Sequence, residues 1–132
     1  MTTTTVSLSF AALTIDSAEP AALAAFWGKA LGRPVNPGAV AGDTAVDVTG
    51  PESGPRMILH NPRPEPKTAK NRIHPVLITN NHDEETERLT SLGARRLNEI
   101  TLAAGPNHPM IRQTTFADPE DNEFELVTWG PE

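Results

Sequence analysis

Asp118-Pro119-Glu120-Asp121-Asn122-Glu123-Phe124-Glu125-Leu126 is the stretch on which the fold turns. Its first five residues are turn formers and the next four alternate charged and apolar, so it reads as a tight turn feeding a two-faced strand. A weaker copy, Gly50-Pro51-Glu52-Ser53-Gly54, stands 68 positions earlier, ahead of the strand-like Arg56 to Asn61. A helix end recurs as well. Leu31-Gly32-Arg33-Pro34-Val35 is echoed 61 positions later by Leu92-Gly93-Ala94-Arg95-Arg96-Leu97. Two motifs repeated in the same order indicate a duplicated half of about 60 residues, and equivalent positions of the two halves become the places to look for a shared site.

Working outward from the motif gives one element order twice. Val6 to Ile15 is β-branched and apolar enough for a buried strand. Asp16-Ser17-Ala18-Glu19-Pro20 reads as a helix start, and Ala21 to Leu31 follows with Leu23, Phe26, Trp27, Ala30 and Leu31 on one side and Gly32 as the stop. Val35 to Val40, Asp43 to Thr49 and Arg56 to Asn61 complete the half as three strands. In the second half, Ile73 to Thr79 is a strand, Asp83 to Leu92 a charged helix, and Arg95 to Thr101, Ile111 to Ala117 and Glu123 to Trp129 are strands. The proline-rich stretch between the halves forbids helix and favours an extended connection. One α+β domain follows: a first unit over 6–61, a linker over 62–71 and a second unit over 72–129.

Composition narrows the chemistry. The 132 residues suffice for one core, and the formal charge of -6, with no stripe of Lys and Arg, argues against nucleic acid as a partner. No apolar run reaches the roughly 20 residues of a membrane span, and Met1 to Thr5 lack the regions of a signal peptide, so the expected location is the cytoplasm. Cysteine is absent, which removes thiol catalysis, disulfides and thiolate metal sites. A metal site here must draw on His, Asp or Glu, a donor set suited to zinc, nickel, manganese or iron. No glycine-rich phosphate loop, serine-hydrolase elbow or zinc-protease helix occurs, and no nucleotide cofactor is expected.

The strand-helix-three-strand unit used twice, the Leu-Gly helix ends and the Asp118 to Leu126 segment resemble the vicinal oxygen chelate superfamily. That group includes glyoxalase I, extradiol dioxygenases, fosfomycin and bleomycin resistance proteins and methylmalonyl-CoA epimerase. The likeness runs from about Leu8 to Trp129. Leu23-Ala24-Ala25-Phe26-Trp27 and Lys70-Asn71-Arg72-Ile73-His74 are similar to the short glyoxalase-like members. The resemblance implies two βαβββ units forming a curved mixed sheet whose concave cup holds a small molecule, often with a divalent metal, in a homodimer.

It also implies metal ligands on the first and fourth strands of each half. His74 and Glu125 fall on two of these places. Stepping back by 64 and 65 positions pairs Phe10 with His74 and His60 with Glu125. The expected ligands are therefore His60, His74 and Glu125, with Glu125 also the catalytic base, and Phe10 in the place of a fourth. Strand parity turns Glu123 and Glu125 into the cup and Phe124 and Leu126 towards the helices. Phe10, Asp47, Arg112 and Trp129 are the candidate substrate contacts. His82 reads as a helix-start residue, His108 as loop surface, and Lys67, Lys70 and Arg72 as an anion-attracting or simply solvated group.

Two functions stand open. One is a metal-dependent lyase, isomerase or dioxygenase acting on a small polar molecule, the ion stabilising an enolate-like transition state. The other is a metal-free cup that binds an antibiotic-type compound, which Phe10 at a ligand position would suit. The homodimer has a separate physical motive in Phe26 and Trp27, adjacent rings that one narrow helix stripe is not expected to bury together.

Overall fold

Leu23, Phe26, Trp27 and Ala30 recur at helical spacing, and in the computed structural model they form the buried stripe of the first helix, α1 (Pro20–Leu31). The structure describes residues 7–50, 52–61, 68–103, 106 and 110–129. Most of the connection at 62–71, the tail Met1 to Thr5, Lys67 and His108 lie outside the described residues. The remaining elements are β1 (Ala12–Asp16), β2 (Val35–Pro37), β3 (Thr44–Val46), β4 (Arg56–His60), β5 (Val76–Ile78), α2 (His82–Leu92), β6 (Arg95–Leu102), β7 (Ile111–Ala117) and β8 (Glu123–Trp129). No helix among the described residues is long and apolar enough to cross a membrane.

The strands form two four-stranded mixed sheets with the same plan, β1-β4-β3-β2 and β5-β8-β7-β6. In each, the first strand pairs in parallel with the fourth and the rest are antiparallel. This is the βαβββ unit used twice. Both helices pack on one side of the sheets, and a single apolar cluster joins the halves. Phe26 and Trp27 of α1 meet edge to face at 5.2 Å. Trp27 then meets Phe124 of β8 at 4.8 Å, and Phe124 stacks on Phe116 of β7 at 5.4 Å. Both rings of α1 are therefore buried, contrary to the expectation that one is left for a neighbouring chain. The second half supplies the surface that a single sheet lacks.

The segment that decides the fold also fastens it. Asp118 is buried and accepts the Trp27 indole N–H at 3.0 Å, the backbone N–H groups of Glu120 and Asn122, and the Asn122 side-chain amide. Two residues on, Glu120 takes the backbone N–H of Ala18 at 2.9 Å and of Glu19 at 3.0 Å, and the Ser17 hydroxyl at 2.7 Å. No acid occupies the first turn of α1 and Glu19 offers no side-chain cap, so a carboxylate from the opposite half completes the helix start. At the other end, Arg88 of α2 donates to the carbonyls of Lys29 and Ala30.

Candidate functional site

The hydrogen bonds that close the two first strands fix how the halves correspond. Ser17 donates its backbone N–H to the His60 carbonyl, and Thr79 donates to that of Val127. The same relation holds along the strands, where Thr14 faces Ile58 as Val76 faces Glu125. His74 thus corresponds to Ala12, and Glu125 to Ile58. This corrects the pairing of His74 with Phe10 and of Glu125 with His60. Phe10 precedes β1, which begins at Ala12, and its ring is 73% exposed.

On the helix-free face of the second sheet, His74 and Glu125 form a pair. His74 stands two residues before β5, and its Nδ1 lies 2.7 Å from Glu125 Oε1. Glu125 is 7% exposed, while the imidazole is half open. A carboxylate this buried needs a partner, and the imidazole supplies it. In register beside it on this face, Glu125 is flanked by Val76 and Thr115, with Asn98 beyond. The next rows bring Ile78, Val127, Gln113 and Ile100, then Trp129, Ile111 and Leu102. One end of the face is polar and the other apolar. Trp129 closes the apolar end, 58% exposed.

His60 does not join this pair. Its Nδ1 lies 2.6 Å from Asp43 on the first sheet, and among the described residues no three His, Asp or Glu side chains form a group able to hold a metal ion. Asp47 follows β3, binds Asn36, and accepts Arg56 Nε at 2.6 Å, contacts that hold its carboxyl below the usual range. It braces β2 against β4. Arg112 points to the helix side, away from the cup, donating to Glu99 at 3.0 Å and Asp83 at 2.8 Å. The expected trio of ligands is therefore split, and two of the four expected substrate contacts, Asp47 and Arg112, are committed to internal pairs.

The donor set also answers whether a family-type metal fits. The four corresponding positions hold Ala12, Ile58, His74 and Glu125, and the first two carry no donor atom. Exchange of halves between chains changes nothing, since every first half brings the same alanine and isoleucine. One imidazole and one carboxylate fall short of the three protein ligands of a catalytic zinc site.

A cleft of about 560 Å³ runs along the seam between the halves. Leu13, Ile15 and Trp27 wall one side and Ile73 and Pro75 the other, with Asp16, Lys70, Arg72, Glu120 and Glu123 supplying charge. Lys70 reaches Glu123 at 3.0 Å. His74 lies in sequence between the two lining residues Ile73 and Pro75, but neither His74 nor Glu125 lines the cleft.

A further polar cluster, which the helix-start reading of His82 gives no hint of, lies behind the second sheet. His82 opens α2 and is 5% exposed. Its Nε2 is 2.7 Å from Thr114 Oγ1 and its Nδ1 is 2.8 Å from Thr128 Oγ1. Thr114 donates to Glu99 at 3.0 Å, so it accepts from Nε2–H, leaving Nδ1 to accept from Thr128. This is a neutral imidazole. Burial, helped by the Arg112 charge, lowers its pKa, while hydrogen bonds from Arg112 hold Glu99 and Asp83 below the ordinary carboxylate range. The sequence signal was confined to two threonines of matching parity, Thr114 and Thr128, on strands distant in the chain.

With the fold and site in view, the comparisons decide the family. The model of the glyoxalase-like domain matches residues 12–127. The chain belongs to this family. It is a glyoxalase-like domain of the vicinal oxygen chelate superfamily. No curated protein matches it. Among known structures it is similar to a glyoxalase/bleomycin resistance protein/dioxygenase family enzyme of Burkholderia phytofirmans PsJN, at a TM-score of 0.69 and 12% identity, covering 92% of this chain and 98% of that one. A mutant of the fosfomycin resistance protein FosX of Listeria monocytogenes, complexed with Mn(II) and 1S,2S-dihydroxypropylphosphonic acid, gives 0.67 at 16%, covering 92% and 90%. An integron cassette protein of Vibrio cholerae gives 0.61 at 21%, covering 96% and 98%. At these identities the glyoxalase-like domain shares the fold with its neighbours, and its chemistry rests on its own residues.

Proposed function

We propose that this glyoxalase-like domain is a metal-independent binder of small amphipathic molecules, acting as a homodimer. The observation that carries the reading is the seam cleft, with an apolar wall of Leu13, Ile15, Ile73 and Pro75 and polar groups from Asp16, Lys70, Arg72 and Glu120. Ligand sites commonly combine such walls with a few placed polar groups, and a volume near 560 Å³ suits a molecule of drug size. The missing donors at Ala12 and Ile58 favour binding without an ion over the metal-dependent lyase, isomerase or dioxygenase reading. Support for the dimer comes from the exposed Val76, Ile78, Ile100, Leu102 and Trp129, which share one sheet face.

The test is a fluorescence titration with 8-anilinonaphthalene-1-sulfonate on chelator-treated protein. One saturable site per chain is expected, unchanged by added zinc or manganese. Replacing Ala69, an exposed lining residue, by Trp fills the cleft and weakens binding at least tenfold. Binding that needs an added metal, or that ignores Ala69→Trp, overturns the reading.

A further inference from the structure

We propose that the seam cleft selects an amphipathic zwitterion, a small molecule whose apolar body separates a cationic amine from an acidic group. This inference rests on the binding reading above and names the class of ligand that the cleft prefers.

The charged side chains along the cleft divide into those already engaged and those left open. Glu120 accepts the Ser17 hydroxyl at 2.7 Å and the backbone N–H groups of Ala18 and Glu19 at 2.9 and 3.0 Å, so its charge serves the start of α1. Lys70 and Glu123 pair at 3.0 Å. Asp16 and Arg72 remain. Among the described residues neither makes a hydrogen bond or an ion pair, with the other or with any third group. Both are exposed. Asp16 ends β1 on the wall formed by Leu13 and Ile15, and Arg72 stands beside Ile73 on the opposite wall. The cleft thus offers one open carboxylate and one open guanidinium, on facing walls that are otherwise apolar.

That pattern favours a ligand carrying both signs. Exposed charges are hydrated, and each costs little until a ligand strips its water. A simple anion can pair with the fork of Arg72, but its apolar body then dehydrates Asp16 without replacing what is lost. A simple cation reverses the fault. Either way one wall charge is left covered and unpaired, which outweighs the small gain from a single open ion pair. A zwitterion replaces both hydration shells at once and lays its body against Leu13, Ile15, Ile73 and Pro75. The net charge of -6 does not override this choice, because distant charges are screened while Asp16 and Arg72 act at contact range. Selectivity comes as much from the penalty on the wrong ligand as from attraction to the right one.

8-Aminooctanoate is the probe, with octanoate and octylamine as controls that keep the chain and remove one charge each. Its chain is flexible, so it adjusts to the separation of the two walls. Each compound competes with 8-anilinonaphthalene-1-sulfonate on chelator-treated protein. The expected displacement midpoint for 8-aminooctanoate lies at least tenfold below that of either control. Asp16→Asn raises it to the octanoate midpoint without weakening the dye, whose sulfonate has no use for that carboxylate. Arg72→Gln raises it to the octylamine midpoint. Neither side chain has a partner to lose, and unchanged melting temperatures check that both variants fold. A midpoint for 8-aminooctanoate that matches the better control, or that ignores both substitutions, overturns the proposal. A saturable dye site without this preference removes the ligand class and leaves the binding reading standing. No dye site, or one that ignores Ala69→Trp, removes both.

Discussion

At the scale of single residues, His82 and Asp118 carry more of the fold than their places in the sequence suggest. His82 is buried and neutral, with its pKa below the usual 6.5, chiefly because burial disfavours the charged ring. As pH falls below that value the unfolded chain takes up a proton that the folded chain refuses, so stability drops until the folded-state pKa is passed. Thermal melts should therefore show a decline between about pH 7 and pH 5, absent in His82→Gln once that variant's own lower baseline is subtracted. Glu99 and Asp83 act in a separate window. Their lowered pKa values contribute stability above the ordinary carboxylate range, lost as pH falls through the folded values, so a second decline is expected in stronger acid. A profile flat from pH 7 to 5 would contradict the assignment of His82. Asp118→Ala is a stronger perturbation, because it leaves the Trp27 indole N–H and turn amides without their acceptor. A loss of about 3 kcal/mol in urea unfolding is expected from orphaned buried donors. Asp118 was legible as a turn residue; its reach to Trp27, 91 positions away, is a tertiary fact that no local pattern contains.

At the scale of elements, periodicity located β7, β8 and α1 closely, since each has a strong pattern and a firm stop. Gly32 ends α1 at φ 65°, a left-handed conformation that costs an L residue about 1 kcal/mol or more, so Gly32→Ala should lower stability by about that amount in chemical denaturation. The first strand was read too long. Val6 to Ile15 looks uniformly like strand, yet β1 has five residues because its one partner, β4, has five, and length is set by the neighbour. The same blindness misplaced the site. Offsets of 64 and 65 fall between the true separations of the first and fourth strands, and a shift of two residues along a strand preserves the face while changing the residue. Parity was thus right for Glu125 and for His60, while the correspondence that joined them was not. That His74 and Glu125 stand side by side was legible because both lie in the second half, where the motif itself sets the register.

At the scale of the whole molecule, the two sheets present unlike faces on their helix-free sides. The first carries Asp16 on β1 and Arg56 and His60 on β4, with Asp43 and Asp47 at the two ends of β3 bonded to His60 and Arg56, a surface content in water. The second grades from His74, Glu125 and Thr115 to Ile78, Ile100, Leu102 and Trp129, and its apolar end is exposed in a single chain. Phe26 and Trp27 cannot supply the interface once expected of them, because the shared core covers both. The apolar rows of β5, β6 and β8 take over that part of the argument: several large apolar side chains left open on one face call for a cover. Light scattering at micromolar concentration should give a mass near twice 14.2 kDa. Ile78→Lys places a charge amid the apolar rows and should return the mass to that of one chain, while Asp16→Lys, on the polar sheet, should leave the dimer intact. Ile78 is exposed at a sheet edge, so its replacement removes no core packing, and the variant should keep the melting temperature of a folded chain. A single-chain mass for the unaltered protein would sink the dimer. A dimer indifferent to Ile78→Lys would move its interface off this face.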